Sequence, residues 1–246
     1  MTLKEINTEF DMLYNNISSG AAPNLNEYEK SLFLTKAQNE LVQMYYSGKN
    51  SHYNSFESDE EVRRYLDTLI QTDTINLSNV QSYGAFKSYT VLKPQDLLYV
   101  VREIVHNASK GCLNGSIMSV IPITHEDLNN VLNDPFKRPN ERKAIRYDDS
   151  TFTDVQFHIL SNVDLSSYEI TYLRKPNPII LVDLKLEFGT DENDNAEYTI
   201  EGYDQPQPLS VPDVLLRKII ARAVELAKTT YVGDLNTTFA INSRDL

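Results

Sequence analysis

Apolar residues in the first 72 residues recur at every third or fourth position, which is the spacing of one face of an α-helix. Three segments show this stripe, and each begins with a residue that favours a helix N-cap, followed three positions later by Glu. The three predicted pairs are Thr2 with Glu5, Asn26 with Glu29, and Ser58 with Glu61. Gly20 and Gly48 suit the ends of the first two helices. The pattern predicts a helical region over residues 1–72.

Runs of β-branched and aromatic residues of strand length dominate residues 73–209. We expect strands at the segments KSYTVL, LLYVVREIVH, SIMSVIPI, KAIRY, DVQFHIL, YEITYLR and IILVDL. A capped segment from Thr124 to about Asn133 predicts a short helix between the third and the fourth of them. The middle of the chain is therefore predicted to be a β-rich region with one inserted helix.

A long amphipathic helix is predicted over residues 210–231. Ser210 and Asp213 form its predicted cap, and Pro212 is tolerated in the first turn. We expect its apolar stripe to pack on the N-terminal helices. The residues of this stripe are Leu215, Ile219, Ala223, Leu226 and Ala227.

Residues 232–246 lose the helical periodicity and are predicted to form an extended tail. The tail either frays or orders only against a partner, and its large apolar residues favour ordering. The elements together predict an α+β fold with an N-terminal helical layer, a central mixed β-region with an inserted helix, a long C-terminal helix and an extended tail. The pattern leaves open whether helices and strands share one core.

The composition indicates a folded protein with an acidic surface. Of its 246 residues 41% are hydrophobic, and 35 acidic against 23 basic residues give a net charge of −12. This charge argues against a surface that neutralises nucleic-acid phosphates non-specifically. The single cysteine, Cys112, excludes an intrachain disulfide. The chain has no apolar secretion signal at its start and no apolar run of about 20 residues, so we expect neither secretion nor a membrane span.

The residue types that carry catalysis and metal binding do not occur in recognised arrangements. The histidines are scattered: His52, His106, His125 and His158. The segment HEDLN begins like the zinc motif H-E-x-x-H, but its fifth residue is Asn129. Cys112 lacks the local signature of a nucleophile, and no phosphate-binding glycine motif occurs. We therefore expect no catalytic residue, no metal, no cofactor and no enzyme activity.

The acidic segment DENDNAEYTIEG shares its first ligand positions with a calcium-binding EF-hand loop. The residues at positions one, three and five are Asp191, Asn193 and Asn195. Ala196 stands where the loop needs glycine, and Gly202 stands where it needs a bidentate Glu. The pattern favours a solvated acidic hairpin tip between two strands, LVDLKLEF and EYTIEGY.

A basic stretch, NDPFKRPNERKAIRY, stands out in this acidic chain. Its basic residues are Lys137, Arg138, Arg142, Lys143 and Arg146. Two prolines impose an extended path on either side of Phe136, which is an apolar anchor in a polar loop. Nucleic-acid readers usually combine several aromatic residues with a basic face, so one aromatic residue in an acidic chain favours a protein partner.

Three interpretations of this stretch remain open. It contacts the acidic surface of another copy, such as residues 191–201; it is a solvated loop held by internal salt bridges; or it is a nucleic-acid-binding module that uses the basic loop 137–146. For a contact between proteins, the residues that we nominate are Phe136, Arg138 and Arg142.

Four longer stretches occur in an order that is typical of one family of virion proteins. They are EINTEFDMLYNNISSGAAPNLNEYEKSLFLTKAQNELVQMYY, THEDLNNVLNDPFKRPNERKAIRY, YEITYLRKPNPIILVDL and LLRKIIARAVELAKTTY. Together they resemble the head-to-tail adaptor, or tail ring, proteins of crAss-like bacteriophages over roughly the whole chain up to Tyr231.

The resemblance implies a structural protein that forms a homo-oligomeric, dodecameric ring. Such a ring would contact the portal protein and further tail or ring proteins, around a channel through which DNA passes without specific binding. The resemblance places the protein in the tail or neck of the virion, after assembly in the host cytoplasm. It supplies no catalytic residue.

Overall fold

A computed structural model of the chain describes residues 1–17, 24–48, 56–77, 80–108, 114–150, 155–190 and 195–232. Within these ranges the helices are α1 (Leu3–Ile17), α2 (Glu27–Ser47), α3 (Glu60–Leu66), α4 (Leu128–Asn133), α5 (Leu184–Phe188) and α6 (Asp213–Val232). The strands are β1 (Ile70–Asn76), β2 (Val80–Tyr83), β3 (Phe86–Leu92), β4 (Leu97–Asn107), β5 (Ile117–Ile123), β6 (Lys143–Ser150), β7 (Val155–Ser161) and β8 (Leu165–Arg174). The predictions for Gly20, His52, Cys112, residues 191–194 and the tail after residue 232 lie outside these ranges.

The chain forms two compact units, which we name the helical unit and the sheet unit. The helical unit comprises Met1–Leu69 and Lys175–Leu246, and the sheet unit comprises Ile70–Arg174. Helices and a mixed sheet are both present, which confirms the predicted α+β class. The division differs from the expected one, however, because residues 175–209 group with the helices and not with the β-rich region.

The first two helices begin with the capping boxes that the sequence predicts. The Glu5 N–H donates to Thr2 Oγ1 at 3.3 Å, and the Thr2 N–H donates to Glu5 Oε2 at 2.8 Å. Asn26 and Glu29 form the same reciprocal pair at 2.8 and 2.9 Å. Helix α2 ends at Gly48, whose φ of 73° lies in the left-handed region that glycine tolerates. These local predictions are confirmed.

Two other predicted caps are wrong by one to three positions. Asp59 caps α3 in place of Ser58, since its Oδ1 accepts a hydrogen bond at 2.8 Å from the N–H two residues later. Helix α6 begins at Asp213, three residues after the predicted cap. Ser210 lies before that helix, and its Oγ accepts a hydrogen bond from the Asn177 N–H at 3.1 Å. A partner far away in the sequence thus takes the hydroxyl that the local pattern assigned to capping.

Helix α6 packs against α1 and α2 through its apolar stripe. All five residues of the predicted stripe are buried: Leu215, Ile219, Ala223, Leu226 and Ala227. The Arg222 guanidinium binds the Glu40 carboxylate of α2 at 3.0 Å. Lys228 Nζ donates to the Leu13 carbonyl of α1 at 3.0 Å. Because apolar contacts are non-directional, these polar contacts fix how far α6 is displaced along its two neighbours.

Residues 177–181 lie beside α2 and are held by three polar side chains of that helix. The bonds run from the Leu181 N–H to Ser31 Oγ at 3.0 Å, from the Ile179 N–H to Thr35 Oγ1 at 3.1 Å, and from Gln38 Nε2 to the Asn177 carbonyl at 2.8 Å. Ser31, Thr35 and Gln38 are buried and stand four and three residues apart, so they follow one face of α2. We call these three bonds the α2 ladder.

The strand predicted for IILVDL is therefore wrong. This segment is apolar and buried, but its backbone groups pair with helix side chains and not with a neighbouring strand. Pro176 and Pro178 lack the N–H that a strand ladder needs. The next segment, LKLEF, also predicted as a strand, forms α5. Its cap is Asp183, whose Oδ1 accepts a hydrogen bond from the Leu186 N–H at 3.1 Å.

The sheet unit contains one mixed sheet with the order β1-β8-β4-β5-β6-β7-β3-β2. Neighbouring strands in this order are antiparallel, except β5 and β6, which are parallel and are connected through α4. Strands β1 and β2 stand at opposite ends of this order, yet only residues 77–79 separate them in the chain. The sheet must therefore curl until its two ends lie within about 15 Å of each other. The Tyr89 hydroxyl in β3 accepts a hydrogen bond from the Leu165 N–H at the start of β8, at 2.9 Å, which fits this curl.

Side chains on the inner face of the curled sheet form its core. Six strands, β3 to β8, contribute to one buried cluster, whose largest members are Tyr89, Tyr168, Tyr172 and Phe157. On the outer face α4 packs Leu128 against Tyr147 and Leu160. Neither β1 nor β2 is among the strands that the sequence predicts, since Ile70, which opens β1, continues the apolar spacing of the third predicted helix and no strand is expected before KSYTVL.

The α2 ladder predicts a specific cost for removing one hydroxyl. In Thr35→Val the shape of the side chain is kept, but the buried Ile179 N–H loses its acceptor. We expect the free energy of unfolding, measured by urea denaturation, to fall by about 2 kcal/mol. Thr8→Val is the matched control, because Thr8 is exposed and donates only to the Lys4 carbonyl of its own helix. An equal effect of the two substitutions would contradict the role of the ladder.

Candidate protein interface

The first half of the basic loop, which connects α4 to β6, winds around Asp134. The Phe136 N–H donates to Asp134 Oδ1 at 2.9 Å. The N–H groups of Lys137 and Arg138 donate to the Asp134 carbonyl at 3.1 and 3.0 Å. One residue at the end of α4 thereby holds the next three backbone donors and gives this part of the loop a fixed turn.

The second half of the loop is fixed from the other end. The Arg142 N–H donates to Asn140 Oδ1 at 2.9 Å, and the Arg142 carbonyl accepts from the Ser119 N–H of β5 at 3.1 Å. Lys143 Nζ donates to the Phe136 carbonyl at 3.0 Å and ties the two halves together. The loop is thus held in one conformation by its own polar groups.

The side chains that this backbone presents are the three that the sequence nominated. Phe136 is 90% exposed, and Arg138 and Arg142 are exposed as well. Neither guanidinium has an ion-pair partner among the described residues, whereas Lys137 Nζ lies 3.9 Å from Asp134 Oδ2. An exposed aromatic ring beside two unpaired arginines is a combination that protein interfaces favour.

Arg146 does not belong to this surface. The sequence predicts it within the basic loop 137–146, and that part of the prediction is wrong. It lies in β6 with its side chain only 9% exposed, and its Nη1 donates to Glu103 Oε1 at 2.9 Å. Its guanidinium lies 4.4 Å from the centre of the Phe157 ring. Asp148 Oδ1 lies 3.3 Å from Arg146 Nε, without the alignment of a hydrogen bond.

Glu103 completes this buried cluster in the sheet unit. Its Oε1 also accepts a hydrogen bond from the Tyr168 hydroxyl. Burial raises the pKa of the Glu103 carboxyl, and the nearby Arg146 guanidinium opposes that rise. Burial likewise raises the pKa of Tyr168, which keeps its hydroxyl protonated as a donor. The cluster is a buried ion pair with a structural role, and it reduces the basic surface available to a nucleic acid.

The outer face of β5 extends the apolar part of the loop surface. Ile117 and Ile121 point to the same face as Ser119, because side chains two residues apart share a face, and both isoleucines are exposed. Ser119 and Lys143 are register partners, so this face continues directly into the loop. Neither position is evident from the sequence, because four of the five residues in IMSVI are apolar and the alternation of exposed and buried residues appears only in the structure.

The described histidines do not form a metal site. His125 and His158 both stack on the Tyr147 ring, with ring centroids 5.6 and 5.0 Å from it. His158 Nδ1 is 3.2 Å from Thr90 Oγ1. No group of three potential metal-ligating side chains occurs in the part of the chain that the structure describes. Within the same residues, no helix has the length and apolar character of a membrane span.

The described part of the acidic segment does not lie between two strands, as the predicted hairpin tip would. Thr190 and Ala196 form an isolated bridge, as do Ile200 and Tyr203, and the preceding segment is α5. Glu201, at the end of this segment, is already engaged. Its carboxylate binds Lys175 Nζ at 3.0 Å and accepts from Asn39 Nδ2 at 2.8 Å.

Comparison with known proteins assigns the chain to a family. The family described as phage tail ring protein 3/4 matches residues 1–238. Ring protein 4/5 of Bacteroides phage crAss001 is 32% identical over 252 residues, with 99% of each chain covered. Ring protein 3 of the same phage is 35% identical over 243 residues, with 95% of this chain and 99% of the relative covered.

An α+β chain that matches such proteins from end to end is a structural protein of a phage tail. The chain belongs to the phage tail ring protein 3/4 family of crAss-like phages, which confirms the resemblance found in the sequence.

The buried pair Glu103 and Arg146 predicts an asymmetric response to substitution. Glu103→Gln leaves the Arg146 charge in the core without its full counter-charge, and we expect the free energy of unfolding to fall by about 3 kcal/mol. The double variant Glu103→Leu/Arg146→Met should be more stable than that single variant, because no buried charge is left unpaired. Chemical denaturation measures both. Arg102→Gln, an exposed neighbour, is the control and should change stability by less than about 0.5 kcal/mol.

Proposed function

We propose that the chain is the subunit of a closed homo-oligomeric ring in the virion tail. The ring is dodecameric, stands between the portal and further tail or ring proteins, and surrounds a channel through which DNA passes. The observation that carries this proposal is the match to two ring proteins of one phage over 95% or more of every chain involved. The role is structural, and assembly takes place in the host cytoplasm.

The charge of the chain supports a place at a DNA channel. A net charge of −12 on each copy gives a ring of copies a strongly negative field. Like charge on a channel wall repels phosphates, so DNA passes without binding. The proposal thus explains why an acidic chain acts beside nucleic acid without being a nucleic-acid-binding module.

The ring closes through heterologous contacts, in which one surface of each copy meets a different surface of the next. Phe136, Arg138 and Arg142 form one side of a contact with a neighbouring copy or with the portal. The hydrogen bonds that hold their loop reduce the conformational entropy lost on binding. The guanidiniums are free to meet carboxylates of the partner with little rearrangement.

Cryo-electron microscopy of the purified virion tests the ring directly. We expect closed density around the tail axis, built from identical copies of this chain and adjacent to the portal. The number of copies is read from the symmetry. Density elsewhere in the particle, or a chain absent from the particle, would overturn the proposed function.

Phe136→Asp tests the loop. Because Phe136 is exposed and makes no core contact, the thermal midpoint and the circular dichroism of the isolated chain should stay unchanged. Incorporation of the variant into virions, measured by quantitative mass spectrometry, should fall by about tenfold or more. Leu92→Asp is the matched control, since Leu92 is 65% exposed in the same unit. Equal incorporation of both variants would remove the loop from the contact.

A further inference from the structure

The charge of the chain is distributed unevenly between its two units. The helical unit contains 23 acidic and 13 basic residues, for a net charge of −10, whereas the sheet unit contains 12 and 10, for a net charge of −2. The basic loop lies in the unit that is nearly neutral. By net charge, a contact between copies that pairs sheet unit with helical unit is therefore less repulsive than one between two helical units, and the basic loop can meet acidic residues there.

The helical unit contains an open cleft with the character that the loop requires. Its volume is about 670 Å³, and it lies between α3 and the start of α6. The residues that line it are Glu60, Glu61, Arg64, Tyr65, Pro212 and Val214. One wall is thus apolar, and the other is formed by charged side chains of α3. The volume is in the range of sites that accept a bulky side chain together with its neighbours.

Both walls of the cleft have groups available for a partner. Val214, in the first turn of α6, is an apolar residue that is 57% exposed. Glu60 is exposed and its Oε1 is 3.7 Å from Arg64 Nη2, a distance that indicates a weak surface pair. Glu57 and Asp59 precede Glu60 and extend the acidic character of this wall.

We propose that this cleft is the receiving surface for the basic loop of a second copy. Phe136 of one copy lies against Val214 and Pro212 of the next, and the Arg138 and Arg142 guanidiniums meet the carboxylates of Glu60 and Glu61. The two surfaces differ and both occur on every copy, so the contact is heterologous and propagates from copy to copy. This inference rests on the proposed ring function and names the second side of its contact.

The acidic segment around residues 195–204 is the competing receiver, and its contacts favour the cleft instead. The Glu201 carboxylate there already binds Lys175 and Asn39 within its own chain. A guanidinium from another copy would have to displace these partners. In the cleft, Glu61 Oε1 already accepts a hydrogen bond from the Tyr65 hydroxyl, but the Glu60 carboxylate has only the weak pair with Arg64, so an incoming arginine meets less competition at Glu60.

A disulfide trap between two full-length chains tests the contact. Both chains contain Cys112→Ala; one also contains Phe136→Cys, and the other Val214→Cys. Under mild oxidation the mixture should form the 136–214 heterodimer about tenfold faster than a control mixture of Leu92→Cys with Val214→Cys, as measured on non-reducing gels. A rate no higher than that of the control would overturn the cleft as receiver.

Charge exchange gives a second, independent readout of the same trap. Arg138→Glu/Arg142→Glu in the loop chain should slow heterodimer formation by about tenfold. Glu60→Lys/Glu61→Lys in the cleft chain should then restore the rate, whereas Glu197→Lys, an exposed acid of the competing segment, should not. Restoration by Glu197→Lys in place of the cleft pair would contradict the proposal.

The virion structure and the disulfide trap together distinguish a failure of the proposed ring function from a failure of the cleft assignment. If the virion contains a closed ring of this chain but the trap fails, the ring function stands and the cleft assignment falls. If the virion contains no such ring, the proposed function falls, whatever the trap shows in solution.

Discussion

The hydrogen bonds between α2 and residues 177–181 are the constraint on which the helical unit depends. The chain leaves this unit for the whole sheet unit and returns at residue 175, so the returning segment needs a fixed place among the helices. Burying that backbone without partners would cost about 1–3 kcal/mol for each unpaired group. The side chains of α2 supply the partners. Asn177 also donates to Ser210 Oγ, so the α2 ladder positions the approach to α6 as well.

How much of this fold is predictable from sequence depends on how local the information is. The capping box at Asn26 and the stop at Gly48 involve residues within one turn, and the pattern predicts them correctly. Most strands follow from their β-branched and aromatic content. IILVDL has the same content but pairs with Thr35, more than a hundred residues earlier, and nothing within the segment indicates a helix as its partner. Ile70 likewise continues the apolar stripe of α3, although it begins a strand.

At the candidate interface, too, the sequence predicts local features but not contacts between residues far apart in the chain. Phe136, Arg138 and Arg142 are exposed as the pattern indicates, because prolines and polar residues surround them. Arg146, only four residues after Arg142, is buried, since β6 directs it to the inner face of the curled sheet. Its counter-charge, Glu103, comes from a strand 43 positions earlier in the chain. In the sequence, Arg142 and Arg146 belong to one basic stretch. Only the register of the sheet shows that Arg142 is exposed and Arg146 is buried.

A ring of chains that each have a net charge of −12 must overcome repulsion between its own subunits. At an ionic strength of 0.15 M, charges more than about 8 Å apart are largely screened, so this repulsion acts mainly where copies touch. A local basic surface on an otherwise acidic chain is therefore sufficient to make the contact attractive, while the remaining charge keeps separate rings from aggregating. The basic groups must then be fixed where the contact forms. The hydrogen bonds that Asp134 and Asn140 accept and that Lys143 donates meet that requirement, because they hold the loop before any partner binds.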